Sequence, residues 1–277
     1  MPAFDIPLDD LINAIMDFLM GLFSVAFRAF SEVLMDIMDG TVDILMLVPA
    51  PIMVLVFAAI VWKVARWKFA MFALLSLVLM YGLGFWERTL DTIVMVIIST
   101  TLAILMSIPL GVFAFWSDRY ERIQHVVLDF MQTAPAFVYL VPAVMFFGMG
   151  ETAAIVATLI FACPPPIRFL NLGLREVPKE LVEAGHAFGA TRMQLLLKVQ
   201  VPAAMPTIMG GINQCIMMSL SMVVIASMIG AGGLGGEVLR AIQTVNVGLA
   251  FEAGLAVVLL AIIFDRTVAS VRKKQVR

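Results

Sequence analysis

Long apolar runs constrain this chain more than any other feature. Seven are of the length of a bilayer crossing, some with tilt, at about residues 44–62, 69–86, 90–116, 126–148, 152–169, 208–230 and 249–264. About 20 apolar residues in a helix cross a hydrocarbon core. Lipid offers no hydrogen-bond partners, so each crossing segment must satisfy its own backbone, and long runs without alternation do so as helices rather than strands. Only 14% of the residues are charged and mean hydropathy is +1.03, whereas a water-soluble domain is about a quarter charged. The expectation is an all-α membrane protein with about seven transmembrane helices.

The amino-terminal end differs from the rest. Residues 1–10 are acidic and lack the basic n-region of a signal peptide. Over residues 8–39, Asp10, Asn13, Asp17, Ser24, Arg28 and Ser31 follow one helical face, and Leu11, Ile15, Leu19, Leu22, Ala26, Phe30, Val33 and Ile37 follow another. That pattern predicts an amphipathic helix along an interface or against the bundle, with a polar-broken spanning helix as the alternative. The chain therefore divides into an interfacial segment, 1–43, and a membrane domain, 44–277.

Orientation follows from lysine and arginine. If the connections 63–68, 117–124 and 168–206 and the tail after Phe264 share one side, that side holds 15 of the 18 basic residues. Only Arg28, Arg88 and Arg240 remain opposite. The positive-inside rule then puts the carboxyl terminus in the cytoplasm and the amino terminus outside. An odd number of spans agrees. The net charge of −2 says little by itself, and nothing in its pattern points to nucleic acid.

One long polar stretch, 177–206, interrupts the apolar pattern. Pro178 suits a first helical position, where no N–H is needed. Leu181, Ala184, Gly185 and Phe188 then recur at helical spacing, and Gly189 is placed to end that helix through positive φ. Thr191 and Gln194 have the spacing of a capping box. Met193, Leu196 and Leu197 give a second apolar stripe, and Pro202 is expected to stop it. Two short amphipathic helices hinged at a glycine form either a docking surface or a loop lying on the membrane.

The spacing carries a resemblance. Glu183-Ala184-Gly185, three residues, Gly189, nine residues, Val199, one residue, Val201-Pro202 resembles the signature loop of ABC importer permeases, where Glu-Ala-Ala precedes a glycine, an isoleucine and a Leu-Pro pair at the same intervals. Gly185 replaces the second alanine, weakening the helix by about 1 kcal/mol, and Val199 and Val201 keep the apolar character. From about Leu90 to Arg266 the chain is similar to the permeases of glycine betaine/proline betaine importers. The similar segments are Gln132-Thr133-Ala134-Pro135, Pro142-Ala143-Val144, Ala203 with Met205-Pro206-Thr207, and residues 219–229 followed by Gly232-Gly233-Leu234-Gly235.

The resemblance implies a type I ABC importer transmembrane domain with a cytoplasmic helical-hairpin coupling loop over about 168–207. It implies a multi-pass protein of the bacterial inner (plasma) membrane, acting as a homodimer. Two copies of a separate ABC ATPase would bind ATP and Mg, and a periplasmic or extracellular binding protein would deliver the substrate. Glu183, Ala184, Gly185, Gly189 and Pro202 are its ATPase-coupling residues. No cofactor is expected in this chain.

The residues agree with that division of labour. No Gly-x-x-x-x-Gly-Lys-Ser/Thr occurs, and the run Gly230-Ala231-Gly232-Gly233-Leu234-Gly235-Gly236 has no following lysine. It reads as a flexible turn at the outer end of a helix, a candidate external gate element. Polar groups inside spans tend to face the bundle or a water-filled cavity. Gln132, Thr133 and Pro135 on the fourth run, with Asn213, Gln214, Ser219 and Ser221 on the sixth, are therefore candidate pathway lining, or else interhelical hydrogen-bond partners. Asp129 and Glu252 lie within the first turns of their runs, where an end-of-helix role competes with a functional one. Cys163 and Cys215 read as apolar fillers, and His125 and His186 have no ligand spacing. Trp62, Trp67, Trp86 and Trp116 sit at run ends as interfacial anchors and form no cage for a quaternary ammonium.

The expected function is thus the permease subunit of a glycine betaine/proline betaine importer. Choline, carnitine and trimethylamine N-oxide are alternative substrates. An ion-coupled carrier would call for internal repeats with matching broken helices, and no repeat is evident. An intramembrane enzyme would need a Ser/His, paired-Asp or metal constellation within the spans, and none is evident either.

Overall fold

A computed structural model describes residues 8–275. The first seven residues of the amino-terminal segment and the last two of the basic tail lie outside the described residues. Every regular element among the described residues is helical. In chain order they are α1 (Leu8–Met46), α2 (Ala50–Val64), α3 (Trp67–Gly82), α4 (Trp86–Trp116), α5 (Asp118–Thr133), α6 (Leu140–Phe147), α7 (Glu151–Ala162), α8 (Pro164–Arg175), α9 (Lys179–Ala187), α10 (Arg192–Leu195), α11 (Val201–Ala226), α12 (Gly233–Gln243) and α13 (Val247–Gln275).

The apolar runs all appear as helix, but they are not equal crossings. Among the described residues five stretches are long and apolar enough to span, Ile12–Met46, Trp86–Trp116, Glu151–Arg175, Arg192–Ile229 and Val247–Ser270, and six if a bent pair is taken as one. Helices α2 and α3 have 15 and 16 residues, or about 24 Å at most, short of a hydrocarbon core of about 30 Å. The run expected at 126–148 is not one straight helix. It breaks at Ala134–Pro135, and the segments Asp118–Thr133 and Ala136–Phe147 meet at 109°. Proline removes a donor and biases its predecessor to extended backbone, and Ala134 has φ −67°, ψ 135°.

The centre of the bundle is α4, α7–α8 and α11, packed on one another. Small residues let them approach. A Cβ on Gly111 would lie 2.7 Å from Leu170 Cδ2, one on Gly173 would lie 3.1 Å from Thr207 Cβ, and one on Gly211 would lie 2.6 Å from Phe169 Cβ. Helix–helix association in lipid depends on such close packing, because lipid is as apolar as the core. Three consecutive prolines, 164–166, open α8 where N–H groups have no helical partner, so α7 runs into α8 at Cys163 with little interruption. Cys163 and Cys215 are both buried and unpaired by disulfide.

Helix α1 lays the stripe Phe27, Ser31, Leu34, Met38 and Val42 against this core. Phe27 meets Phe146 and Phe147 at ring distances of 4.8 and 5.3 Å. Ser31 Oγ donates to Thr152 Oγ1 at 3.2 Å. The apolar face expected from the sequence, with Ile15, Leu22, Val33 and Ile37, instead points away from the protein, while Phe30 at its edge meets Phe147 at a ring distance of 5.9 Å. Hydropathy cannot distinguish a core-facing stripe from a lipid-facing one. Helices α2 and α3 form an antiparallel pair that packs on α13 through Val61, Leu77, Met80 and Leu260.

Candidate coupling hairpin and pathway

The polar stretch folds into the expected hairpin, and local chemistry explains each corner. Pro178 is the N-cap of α9 rather than its first residue, a shift of one position. Gly189 has φ +75°. Around it, Ala190 N–H donates to Gly185 O at 3.1 Å and Gly189 N–H to His186 O at 2.9 Å, which is the Schellman pattern of helix termination. Thr191 Oγ1 then accepts from Gln194 N–H at 3.3 Å, and Gln194 Oε1 accepts from Thr191 N–H at 2.9 Å. That capping box starts α10.

Pro202 does not stop the second helix. Residues Leu196–Gln200 form a π-turn, closed by Val201 N–H to Leu196 O, and α11 continues through Pro202 and Pro206. A proline clashes with the carbonyl four residues back and lacks a donor; a widened turn ahead of it relieves both problems. The hairpin is therefore continuous with α11, and Arg192–Ile229 is one rod bearing the hinge at its base.

The hairpin turns its apolar stripe outward. Phe188 is 91% exposed, and Leu181, Met193 and Leu197 are exposed too. Glu183 and Ala184 lie on the same open surface, and Glu183 has no ion pair among the described residues. Inward, Val177 and Leu196 are buried with Leu170, Leu174 and Ala204, and Val182 packs on them. Gly185 faces Leu195: a Cβ there would lie 2.5 Å from Leu195 Cδ1. The glycine that departs from the resembled pattern thus makes room for the end of the Leu195 side chain.

At the root of the hairpin a polar knot joins three helices. Arg175 Nη2 donates to Asp118 Oδ1 (2.8 Å) and to Ala114 O (3.0 Å), and lies 3.0 Å from Glu121 Oε2. Arg175 Nε donates to Asn171 Oδ1 at 3.0 Å, and Asn171 Nδ2 donates to Glu121 Oε1 at 2.7 Å. Farther along, Arg168 pairs with Asp129 at 2.6 Å. Asp129, expected at a helix end, is an interhelical partner instead. Sequence reasoning missed this knot. Only the Asn171–Arg175 pair, one helical turn apart, was visible in the spacing.

The candidate pathway residues separate into groups. Gln132, Thr133 and Pro135 are exposed at the α5–α6 break, and the turn Ala136–Tyr139 that follows packs on α11. Gln214 and Ser221 lie seven residues apart on the exposed face of α11. Asn213 is half-buried, and its Nδ2 donates to Asp265 Oδ1 at 3.4 Å. Ser219 is buried within the bundle. Glu252 is exposed, and the cap of α13 is Asn246, whose Oδ1 accepts from Leu249 N–H at 3.1 Å.

The glycine run is pinned rather than slack. Gly230, Gly232 and Gly233 have positive φ, but Leu234 is fully buried and its N–H donates to Thr92 Oγ1 at 2.9 Å. Gly150 N–H donates to Ile229 O at 2.9 Å. Arg88, on α4, lies 3.5 Å from Glu237 of α12.

Residues 99–277 match the family described as binding-protein-dependent transport system inner membrane component. The chain is 42% identical to the glycine betaine transport system permease protein OpuAB of Bacillus subtilis, covering 98% of this chain and 96% of that protein. It is 45% identical to the glycine betaine/carnitine transport permease protein GbuB of Listeria monocytogenes, covering 97% and 96%. To the glycine betaine/proline betaine transport system permease protein ProW of Escherichia coli it is 43% identical, covering 96% and 75%. Its fold is similar to a chain of the MetNI methionine ABC transporter in an inward facing conformation, with a TM-score of 0.63 and 23% identity over 68% of this chain and 94% of that one.

Proposed function

Because this chain belongs to the binding-protein-dependent transport system inner membrane components, the permease subunits of ABC importers, we propose that it carries glycine betaine, proline betaine or a close quaternary amine across the inner membrane. The observation that supports this most is the outward apolar hairpin, with Phe188 at its tip and Glu183 on its open surface. A strongly exposed aromatic flanked by polar residues is a typical interface anchor.

In this reading the hairpin faces the cytoplasm and seats in a separate ATPase, which supplies ATP and Mg. Glu183, Ala184, Gly185 and Gly189 form the contact and turn. Pro202 lies where the hairpin becomes α11 and serves continuity rather than contact. Two copies of the chain form the pathway. Gln214, Ser221, Gln132 and Thr133 are polar and exposed on one chain, and in lipid such groups call for protein or water beside them. A neutral polar lining suits a zwitterion, which offers neither net charge nor an N–H donor. A binding protein outside selects the substrate, and the ATPases drive alternation between outward and inward access.

Uptake by proteoliposomes tests the proposal. With permease, ATPase and binding protein present, radiolabelled glycine betaine should enter only when ATP reaches the ATPase, and collapse of ion gradients should leave uptake unchanged. Uptake by the permease alone, driven by an ion gradient, would contradict it.

A further inference from the structure

Helix α5 packs thinly on the protein, through Leu128, Met131 and the Tyr120–Phe113 ring contact, and polar contacts supplement these. Leu128 is its one buried residue, while Ile123, Val126, Val127 and Phe130 are exposed. Against that thin packing stand the Arg175 knot at the start of α5, Gln124 Nε2 donating to Leu110 O at 3.1 Å, and the Asp129–Arg168 pair near the end. Two of these three anchors reach to α8, whose last residue is Arg175. Val177 and Pro178 then lead straight into α9.

We infer that Arg175 is a positioning residue for transport, the link through which displacement of the hairpin moves α5 and, with it, the α5–α6 break beside α11. The inference rests on the hairpin being the ATPase dock. Its geometry is specific. The planar guanidinium reaches acceptors on the last turn of α4, the first turn of α5 and the preceding turn of α8, while Asn171 closes the ring to Glu121. A fork of fixed donors transmits orientation as well as distance, whereas a lysine ammonium is a single point charge. The knot is partly open to solvent, with Arg175 33% and Glu121 22% exposed. It ties groups on three helices through one side chain, and so sets the registry between α5 and α8.

Downstream, α5 behaves as a lever arm. It ends at Thr133, and the extended Ala134–Pro135 corner separates it from α6. Tyr139 O–H, beyond the corner, donates to Met131 O before it. Motion of α5 therefore reaches the turn Ala136–Tyr139, which touches α11. Gln132 and Thr133 ride at that corner.

The test uses the full complex with its ATPase, in lipid. Spin labels at His186→Cys on α9 and Ile123→Cys on α5 are each measured against a label on α13, with and without nucleotide. In the otherwise native protein both distances should change together. In Arg175→Gln the hairpin distance should still change, the α5 distance should not, and solute moved per ATP hydrolysed should fall about fivefold. Arg175→Lys should lie between. Glu121→Gln, which keeps the acceptor and removes the charge, should show the same pattern more weakly and covers the case in which Arg175→Gln does not assemble. An α5 label that stays still while the hairpin moves in the native protein would overturn the inference and spare the docking reading. So would an unchanged transport ratio in an assembled Arg175→Gln. A hairpin that neither moves nor binds the ATPase would overturn both.

Discussion

Gly185 and Leu195 meet across the hairpin: a methyl on Gly185 would lie 2.5 Å from Leu195 Cδ1, so the end of the leucine must turn aside to admit it. The contact joins the two arms of the hairpin. Gly185→Ala should therefore lower uptake although alanine favours helix by about 1 kcal/mol. Leu195→Ala alone should destabilise the arm by about 2–5 kcal/mol through the cavity it leaves. The double substitution should recover uptake relative to either single change, because the new methyl fills part of that cavity. Uptake and ATPase co-purification of all four combinations give the coupling directly.

Gly189 sits at φ +75° with open space around it, so strain rather than collision limits substitution. Gly189→Ala should destabilise the hinge by about 1–2 kcal/mol. Gly189→Asn, which tolerates the left-handed region, should be milder. Thr191→Ala removes one half of the capping box and should cost about 1 kcal/mol. Limited proteolysis at the hinge should become faster in the order native, Gly189→Asn, Gly189→Ala.

Phe188 and Glu183 contribute little to this chain's own packing. Phe188→Ala should leave the melting temperature unchanged and weaken ATPase binding by about 2 kcal/mol or more, as loss of an interface anchor does. Glu183→Ala should insert normally and uncouple transport from hydrolysis. Co-purification and uptake, measured on the same preparations, check both.

Gly211 faces backbone as well as side chain: a methyl there would lie 2.6 Å from Phe169 Cβ and 3.1 Å from Pro166 Cα. Gly211→Ala should separate α8 from α11 and cost about 1–3 kcal/mol. Gly254→Ala, inside α13 where nothing lies within 4 Å, should not destabilise and should gain up to about 1 kcal/mol. Thermal unfolding in detergent distinguishes the two.

The parts of this architecture that were legible in the sequence are the local ones. The hinge at Gly189 and the cap at Thr191 and Gln194 follow from neighbours a few residues apart, and the structure places both as expected. Pro202 misled, because the π-turn that accommodates it depends on the packing of Leu196 beneath it. The inward face of α1 could not be read, since lipid and core select the same residues. The Arg175 knot joins positions more than 50 residues apart in sequence, and no periodicity records such a pairing. Gly185 was visible as a departure from a pattern, but its reason, Leu195, lies on the other arm.

Cysteine accessibility at position 188 tests the central claim most directly. Both native cysteines are buried, so a Phe188→Cys variant reports on the hairpin tip with little background. A membrane-impermeant maleimide should label it in inverted vesicles and not in intact cells, and added ATPase should protect it. Labelling from outside intact cells, or labelling that the ATPase leaves unchanged, would contradict the account.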